Sequence, residues 1–487
     1  VRFCAGAALV AALVALLSAA STPAAFAAPT TLGALGNAAM TTLRARLLVD
    51  QGRWNLCART SCGTADSDWG ADSLTGVLTL RWRAAHAPAL VSFARALEHT
   101  APRYPLCRGP GCPGWSDVPL WDAVAALQLY EVTGDTVALD LARAAYATVA
   151  RTDRYAHGAC PEIDDQRPFA EGGGLKTLET DGNRVLAAAL LAQETGSAVD
   201  LADARRHYTA IRRWFFDRTA GLYTVYLFDD GRRCRPLPHR FFASVNGIMI
   251  DAGRVLAHLT GDMEYGHDAR VTARAIEQLD DARGIFTDLQ AENDVVEPLV
   301  RAMDGLARAG DGHARAWLVR NARAAAHARG PDGEYGRFFD GPPPPGAVTA
   351  WQTNGGLALA IVAGALAPAS RIGEDATWSD ATSLLVALDH VPATLRVTGS
   401  GIALFGTLGE QCCEAGRAAL TLDGRPTVDA TGIWQNKSSA SLALPRTILF
   451  AWRWPRTGKH VLRFVADAPN AKEGGTFLDV TEALVAP

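Results

Sequence analysis

Four short turns of one kind limit what this chain can fold into. Thr133-Gly134-Asp135, Thr195-Gly196-Ser197, Thr260-Gly261-Asp262 and Ala309-Gly310-Asp311 each divide two stretches of helical periodicity. Glycine closes the first helix in the left-handed conformation and the next Asp or Ser caps the second, so each turn forces an antiparallel helical pair. The turns recur at intervals of roughly 50 to 65 residues, a loose repeat of helical hairpins.

Apolar periodicity places twelve helices at about 36–50, 71–84, 88–99, 118–132, 137–151, 176–194, 199–214, 241–259, 264–280, 292–309, 313–328 and 348–365. Twelve helices make six hairpins, and six hairpins closing into a ring make an all-α (α/α)6 toroid over 36–366. The other connections, about 53–70, 100–117, 152–175, 215–240, 281–291 and 329–347, are long. Inner and outer helices alternate in such a ring, so the long loops share one face, and a site is expected there. Past a linker at 367–376 the pattern changes to short β-prone runs at Leu384–Leu388, Thr394–Val397, Gly401–Phe405, Ala418–Leu422, Thr447–Trp452, His460–Val465 and Phe477–Val480. An all-β antiparallel sandwich over 377–487 is expected.

Residues 1–27 read as a signal peptide: Arg2, an apolar run from Ala5 to Leu17, then Ala25-Phe26-Ala27. The expected product is secreted and extracellular. A net charge of -4 on 487 residues, with no basic cluster interleaved with aromatics, argues against a nucleic-acid partner. No later run is apolar enough to span a bilayer, so no membrane association is expected. Beyond Cys4 lie Cys57, Cys62, Cys107, Cys112, Cys160, Cys234, Cys412 and Cys413, and an even count in an oxidising compartment favours disulfides. Six of these fall in the long loops, which points to bridges Cys57 to Cys62, Cys107 to Cys112 and Cys160 to Cys234. Cys412 and Cys413 either bridge each other or pair elsewhere. No zinc-type spacing, other metal site or cofactor signature is present, and a monomer is expected.

The helix that opens Trp115-Ser116-Asp117-Val118-Pro119-Leu120-Trp121 and ends Leu129-Tyr130-Glu131-Val132-Thr133-Gly134-Asp135 resembles the corresponding element of glycoside hydrolase family 76. Similarity continues through Gly172-Gly173-Gly174-Leu175-Lys176, Val245-Asn246-Gly247-Ile248-Met249-Ile250 and the Thr260-Gly261-Asp262 hairpin. That family comprises secreted (α/α)6 toroids that are endo-acting α-1,6-mannanases. Two adjacent aspartates, a nucleophile and a general acid/base, precede the tryptophan in the family pattern; here the positions hold Asp117 and Val118. The family's Asn after the Gly-Lys segment is replaced by Asp181. The C-terminal segments Thr398–Gly406, Leu422-Asp423-Gly424 and Thr457–Leu462 resemble galactose-binding-like sandwiches, which implies a carbohydrate-binding module.

A retaining glycosidase needs one carboxylate to attack the anomeric carbon and a second, about 5 to 5.5 Å away, to protonate the leaving oxygen. Asp117 starts an inner helix whose dipole favours the ionised form, so it serves as the nucleophile or simply as a helix cap. Val118 has no proton to give, and Asp122, about 140° around the helix, reads as structural. Asp181 is taken as the second catalytic carboxylate; Glu179, Glu292, Asp294, Asp68 and Asp72 also sit at inner-helix starts. Trp115, Trp121, Lys176 and Asn246 are assigned to substrate binding. Trp69 and Trp351 lie at similar helix ends, where tryptophans either stack on sugars or pack. Lys176 is open to a hydroxyl contact or a carboxylate partner, and Asp164-Asp165 reads as a solvated loop pair. The expected function is hydrolysis of an α-mannan-like polysaccharide, the expected partner a polysaccharide or oligosaccharide. The alternative is a catalytically lapsed toroid that binds extracellular glycan without turnover.

Overall fold

The turns that punctuate the sequence are built as their residues demand. Gly134, Gly196, Gly261 and Gly310 have φ of 63°, 69°, 72° and 95°. Asp135, Ser197, Asp262 and Asp311 then accept N–H groups of Val137, Asp200, Glu264 and His313. The computed structural model describes residues 29–49, 53–55, 57, 65–66, 69–100, 114–168, 174–237, 240–287, 294–346, 348–390, 392–408, 418–426, 444–466 and 477–487. Among these, twelve α-helices form: α1 Leu32–Thr42, α2 Trp69–Ala85, α3 Pro88–Thr100, α4 Asp117–Thr133, α5 Thr136–Ala150, α6 Leu178–Thr195, α7 Ala198–Trp214, α8 Ala243–Thr260, α9 Met263–Ala275, α10 Glu297–Arg308, α11 Gly312–His327 and α12 Ala350–Leu366.

Helices α2, α4, α6, α8, α10 and α12 pack neighbour on neighbour, and α12 returns to α2, so the ring closes as an (α/α)6 toroid. Inner helices are enclosed by two ring neighbours and an outer helix, which is why α6, α8 and α12 bury residues nearly all round. Five hairpins have a short covalent turn. The sixth joins the two ends of the helical region: α1 packs on α12, with Leu32 N–H on Ser370 O at 2.9 Å and Ile372 N–H on Thr30 O at 3.1 Å.

Two glycines set how closely these helices approach. A Cβ on Gly247 of α8 would lie 2.3 Å from Leu299 N of α10, and one on Gly364 of α12 would lie 2.7 Å from Leu32 O of α1. Deeper in the ring, Arg301 of α10 pairs with Glu297 at 2.8 Å and donates to Thr79 Oγ1 of α2 at 2.7 Å. Helix α12 lies between α10 and α2 in the ring, so this contact joins next-but-one inner helices. Arg83 with Glu131 (2.7 Å), Arg254 with Asp251 (2.7 Å) and Arg308 with Asp304 (2.8 Å) add further pairs from the inner helices.

The C-terminal region forms one antiparallel sheet of six strands, β1 Thr382–His390, β2 Ala393–Leu408, β3 Ala418–Leu422, β4 Arg425–Pro426, β5 Leu444–Ala466 and β6 Phe477–Ala486, in the order β4-β3-β5-β2-β6-β1. The separate runs expected at 394–397 and 401–405 are one strand, as are those at 447–452 and 460–465. The β2–β5 register slips between Gly399 and Gly401, where glycine tolerates a bend. The first half of β2 then pairs with the end of β5, and its second half with the start of β5 and with β6. Val397, Leu462 and Phe464 from one half share a core with Ile402, Leu404 and Val485 from the other, so the bent sheet packs on itself as a sandwich does. Arg453 of β5 joins the sheet to the toroid through Asp340 at 3.0 Å and Asp375 at 2.7 Å.

Gly247→Ala is expected to destabilise the protein by about 2–4 kcal/mol, since backbone of α10 occupies the place of the new methyl. Gly266→Ala in α9, where the nearest atom to a Cβ is 3.5 Å away, is expected to gain about 0.5–1 kcal/mol. Denaturation midpoints of the two variants beside wild type test the contrast.

Candidate active site at the helix N-termini

The inner helices start on the long-loop face, and three carboxylates gather there. Asp117 is the first residue of α4, not its cap; the preceding Ser116 holds the cap position and gives its hydroxyl to Asp165 O at 2.9 Å, while also pairing with Thr180 Oγ1 at 2.9 Å. This clamp ties the start of α4 to that of α6. Asp117 therefore sits in the first turn, where backbone N–H groups and the helix dipole favour an anion. Glu179 is the second residue of α6, and Asp294 immediately precedes the turn into α10. All three are at most 3% exposed.

The three differ in what holds them. Asp294 accepts N–H groups of Ala243 at 2.5 Å and Ser244 at 3.1 Å, so it caps α8 from a neighbouring hairpin. Glu179 Oε1 has no hydrogen-bond partner among the described residues. Burial pushes its carboxyl well above the ordinary glutamate range, and the negative charges of Asp117 and Asp294 push it further. The site thus pairs a carboxylate at a helix N-terminus with a buried carboxyl group whose surroundings favour its protonated form. Trp121, one turn beyond Asp117, and Asn183, one turn beyond Glu179, leave Nε1 and Oδ1 without partners among the described residues.

Several residues expected here are employed elsewhere. Asp181, taken as the second catalytic carboxylate, lies on the other side of α6: it accepts the Asp164 N–H at 3.1 Å and approaches His207 Nδ1 at 4.0 Å. Two residues of helix turn it about 200° from Glu179, and Glu179 is the acid brought to Asp117. Lys176 is completely buried and spends its three donors on His157 O, Ile163 O and Asp165 Oδ1 at 2.7, 2.9 and 2.8 Å, with none left for substrate. Asn246 bonds Tyr223 through both N–H and C=O and also reaches Phe242 O, so it pins the loop before α8. Asn321 and Asn354 do the same for the Phe286 and Val296 amides.

Asp164 and Asp165 are buried, not solvated, because Arg184 (2.5 Å) and Lys176 neutralise them. The half-buried Trp115 stacks under the Arg167 guanidinium at 3.7 Å, and Trp351 is buried at the start of α12. Glu292, Asp68, Cys62, Cys107, Cys112, Cys412, Cys413 and the side chain of Trp69 lie outside the described residues. The bridge from Cys160 to Cys234 is present, with Cα atoms 5.2 Å apart, and Cys57 is also in a disulfide. Glu179 carried a signal that went unused: at i and i+4, Glu179 and Asn183 share the helix face opposite Asp181.

No family model and no curated protein sequence matches this chain. Solved structures do. An inactive variant of an α-1,6-mannanase of Salegentibacter sp., with two adjacent aspartates replaced and α-1,6-mannotetraose bound, aligns at TM-score 0.59 and 17% identity over 69% of this chain and 99% of that one. A family 76 mannosidase from Bacteroides thetaiotaomicron aligns at 0.58 and 12%, over 69% and 98%. A cellobiose 2-epimerase from Bacillus thermoamylovorans aligns at 0.51 and 14%, over 67% and 98%. At these identities the likeness is one of fold.

Two stability tests follow from this geometry. Lys176→Met strands the buried Asp165 and should cost about 3–5 kcal/mol in chemical denaturation. Glu179 behaves in the opposite sense: its folded pKa lies above the ordinary 4.5, so ionisation weakens the fold as pH rises through and beyond that value. Glu179→Gln removes the penalty, and the stability gap over wild type should widen from about pH 4.5 upward; a gap that does not change with pH would contradict the assignment.

Proposed function

We propose that this chain is a carbohydrate-active enzyme that hydrolyses glycosidic bonds in an α-mannan-like polysaccharide outside the cell. The observation that carries the reading is the buried carboxyl of Glu179 beside Asp117, its Oε1 without a hydrogen-bond partner among the described residues. Two carboxyl groups whose surroundings drive their protonation apart are what acid-assisted glycoside cleavage requires. Glu179 passes its proton to the glycosidic oxygen as the C1–O bond breaks, and the Asp117 carboxylate takes the bond to C1. The Glu179 carboxylate then removes a proton from water, whose oxygen displaces Asp117 from C1 and restores both groups. This assignment replaces the adjacent-aspartate arrangement, which Val118 cannot provide, with an acid from the next inner helix.

The fold shared with mannanases supports a saccharide substrate, and the oxidised Cys160 and Cys234 support an exported protein. The C-terminal sheet is the glycan-holding module in this reading, fixed to the toroid by Arg453.

Reducing-end release from α-1,6-mannan tests the mechanism. Asp117→Asn should abolish it, whereas Glu179→Gln should lose about 10²–10⁴-fold on mannan and much less on an aryl α-mannoside, whose leaving group needs no proton. The wild-type rate on mannan should fall on the alkaline side as Glu179 ionises. Wild-type activity in Glu179→Gln would overturn the role of acid. Saturable mannan binding with no turnover by wild type would instead establish a toroid that has lost catalysis, the reading favoured by Val118.

A further inference from the structure

A second polar site stands on the outer wall of the toroid, away from Asp117. The loop from Thr152 to Asp164, the end of α5 and the middle of α7 enclose a cleft of about 560 Å³. Arg151, Arg184, Arg206, His207, Asp164 and Glu162 supply its polar lining. The loop is held from behind by three separate ties. Cys160 is bridged to Cys234; Asp229 accepts the Ala159 N–H at 2.7 Å and the Cys160 N–H at 3.2 Å; Lys176 gathers the carbonyls of His157 and Ile163. A cleft whose rim is fixed before a ligand arrives loses little entropy on binding.

The arginines of this cleft are already matched. Arg184 pairs with Asp164 and Asp203, Arg151 with Asp200 at 2.5 Å, and Arg206 with Asp203 and, at 3.9 Å, Glu162. An anionic ligand would have to break one of these pairs and strand its partner. A neutral ligand rich in hydroxyls instead uses the lone pairs and N–H groups that the pairs leave over. Arg151 and Arg206 offer such groups, since each guanidinium side chain stays about half exposed beside its acid. The volume suits one or two pyranose rings.

We propose that this cleft is a second, non-catalytic saccharide-binding site that holds a neutral mono- or disaccharide unit of the polymer on the toroid rim. Its ligand class rests on the saccharide reading above; its place does not. The loop that builds it also carries Asp165 O and Gln166 O, which accept from Ser116 next to Asp117, so a strand held here lies one loop away from the carboxylate site.

The test is calorimetric titration with α-1,6-mannobiose, using Asp117→Asn to prevent turnover. Ala156 lines the cleft and is exposed, so Ala156→Trp fills the space without touching the buried ion pairs. Adding Ala156→Trp to Asp117→Asn should remove one equivalent of bound disaccharide, and Arg206→Gln should weaken that equivalent at least tenfold. The binding should not change between low and high salt. Equal stoichiometry with and without Ala156→Trp would overturn the proposal, as would binding of inorganic phosphate at the cleft in place of the disaccharide. Hydrolysis reports on Asp117 and Glu179 and titration on the cleft, so each claim can fail without the other. An Ala156→Trp enzyme that keeps wild-type hydrolysis of a short aryl mannoside confirms that the variant is folded.

Discussion

The ring depends on a closure that no covalent turn provides. Residues 30–33 hydrogen-bond to 368–372, and α1 lies on α12 at a distance that only Gly36 and Gly364 permit. Without that clasp α12 would lose its outer partner, and the five covalent hairpins would form an open arc whose inner helices expose apolar sides. The meeting of helix N-termini at one mouth is thus a property of the closed ring and not of any single hairpin.

Closure also determines the electrostatics of the mouth. Carboxylates from α4, α6 and the segment leading into α10 would each be ordinary helix-start acids if they stood alone. Brought together and dried, they differ: Asp294 is held by two amides of α8, Asp117 lies in the first turn of α4, and the surroundings of Glu179 push its carboxyl toward the protonated form. Position in the ring, more than residue type, distinguishes them.

The helices, their turns and the Cys160–Cys234 bridge were legible because their signals are local. Gly-Asp turns, apolar spacing and paired loop cysteines act within a few residues or within one loop face. The choice of Asp181 over Glu179 failed because both lie at the start of one helix, and only its rotation about its axis decides which faces the ring centre. Lys176 and Asn246 misled for a related reason. Buried polar residues that fasten long loops to a scaffold look, in sequence, like residues placed for a ligand. Asp164 and Asp165 were misjudged because their partners Arg184 and Lys176 lie on the next helix and strand, where a local reading gives no sign of pairing. The β-region was legible as strands but not as a bent sheet, since a register slip at Gly399–Gly401 depends on the partner strand.

Arg301, reaching from α10 across to Thr79 of α2, has a further consequence. Four arginines of the inner helices pair with four acids of the same helices, so these side chains bring almost no net charge into the ring.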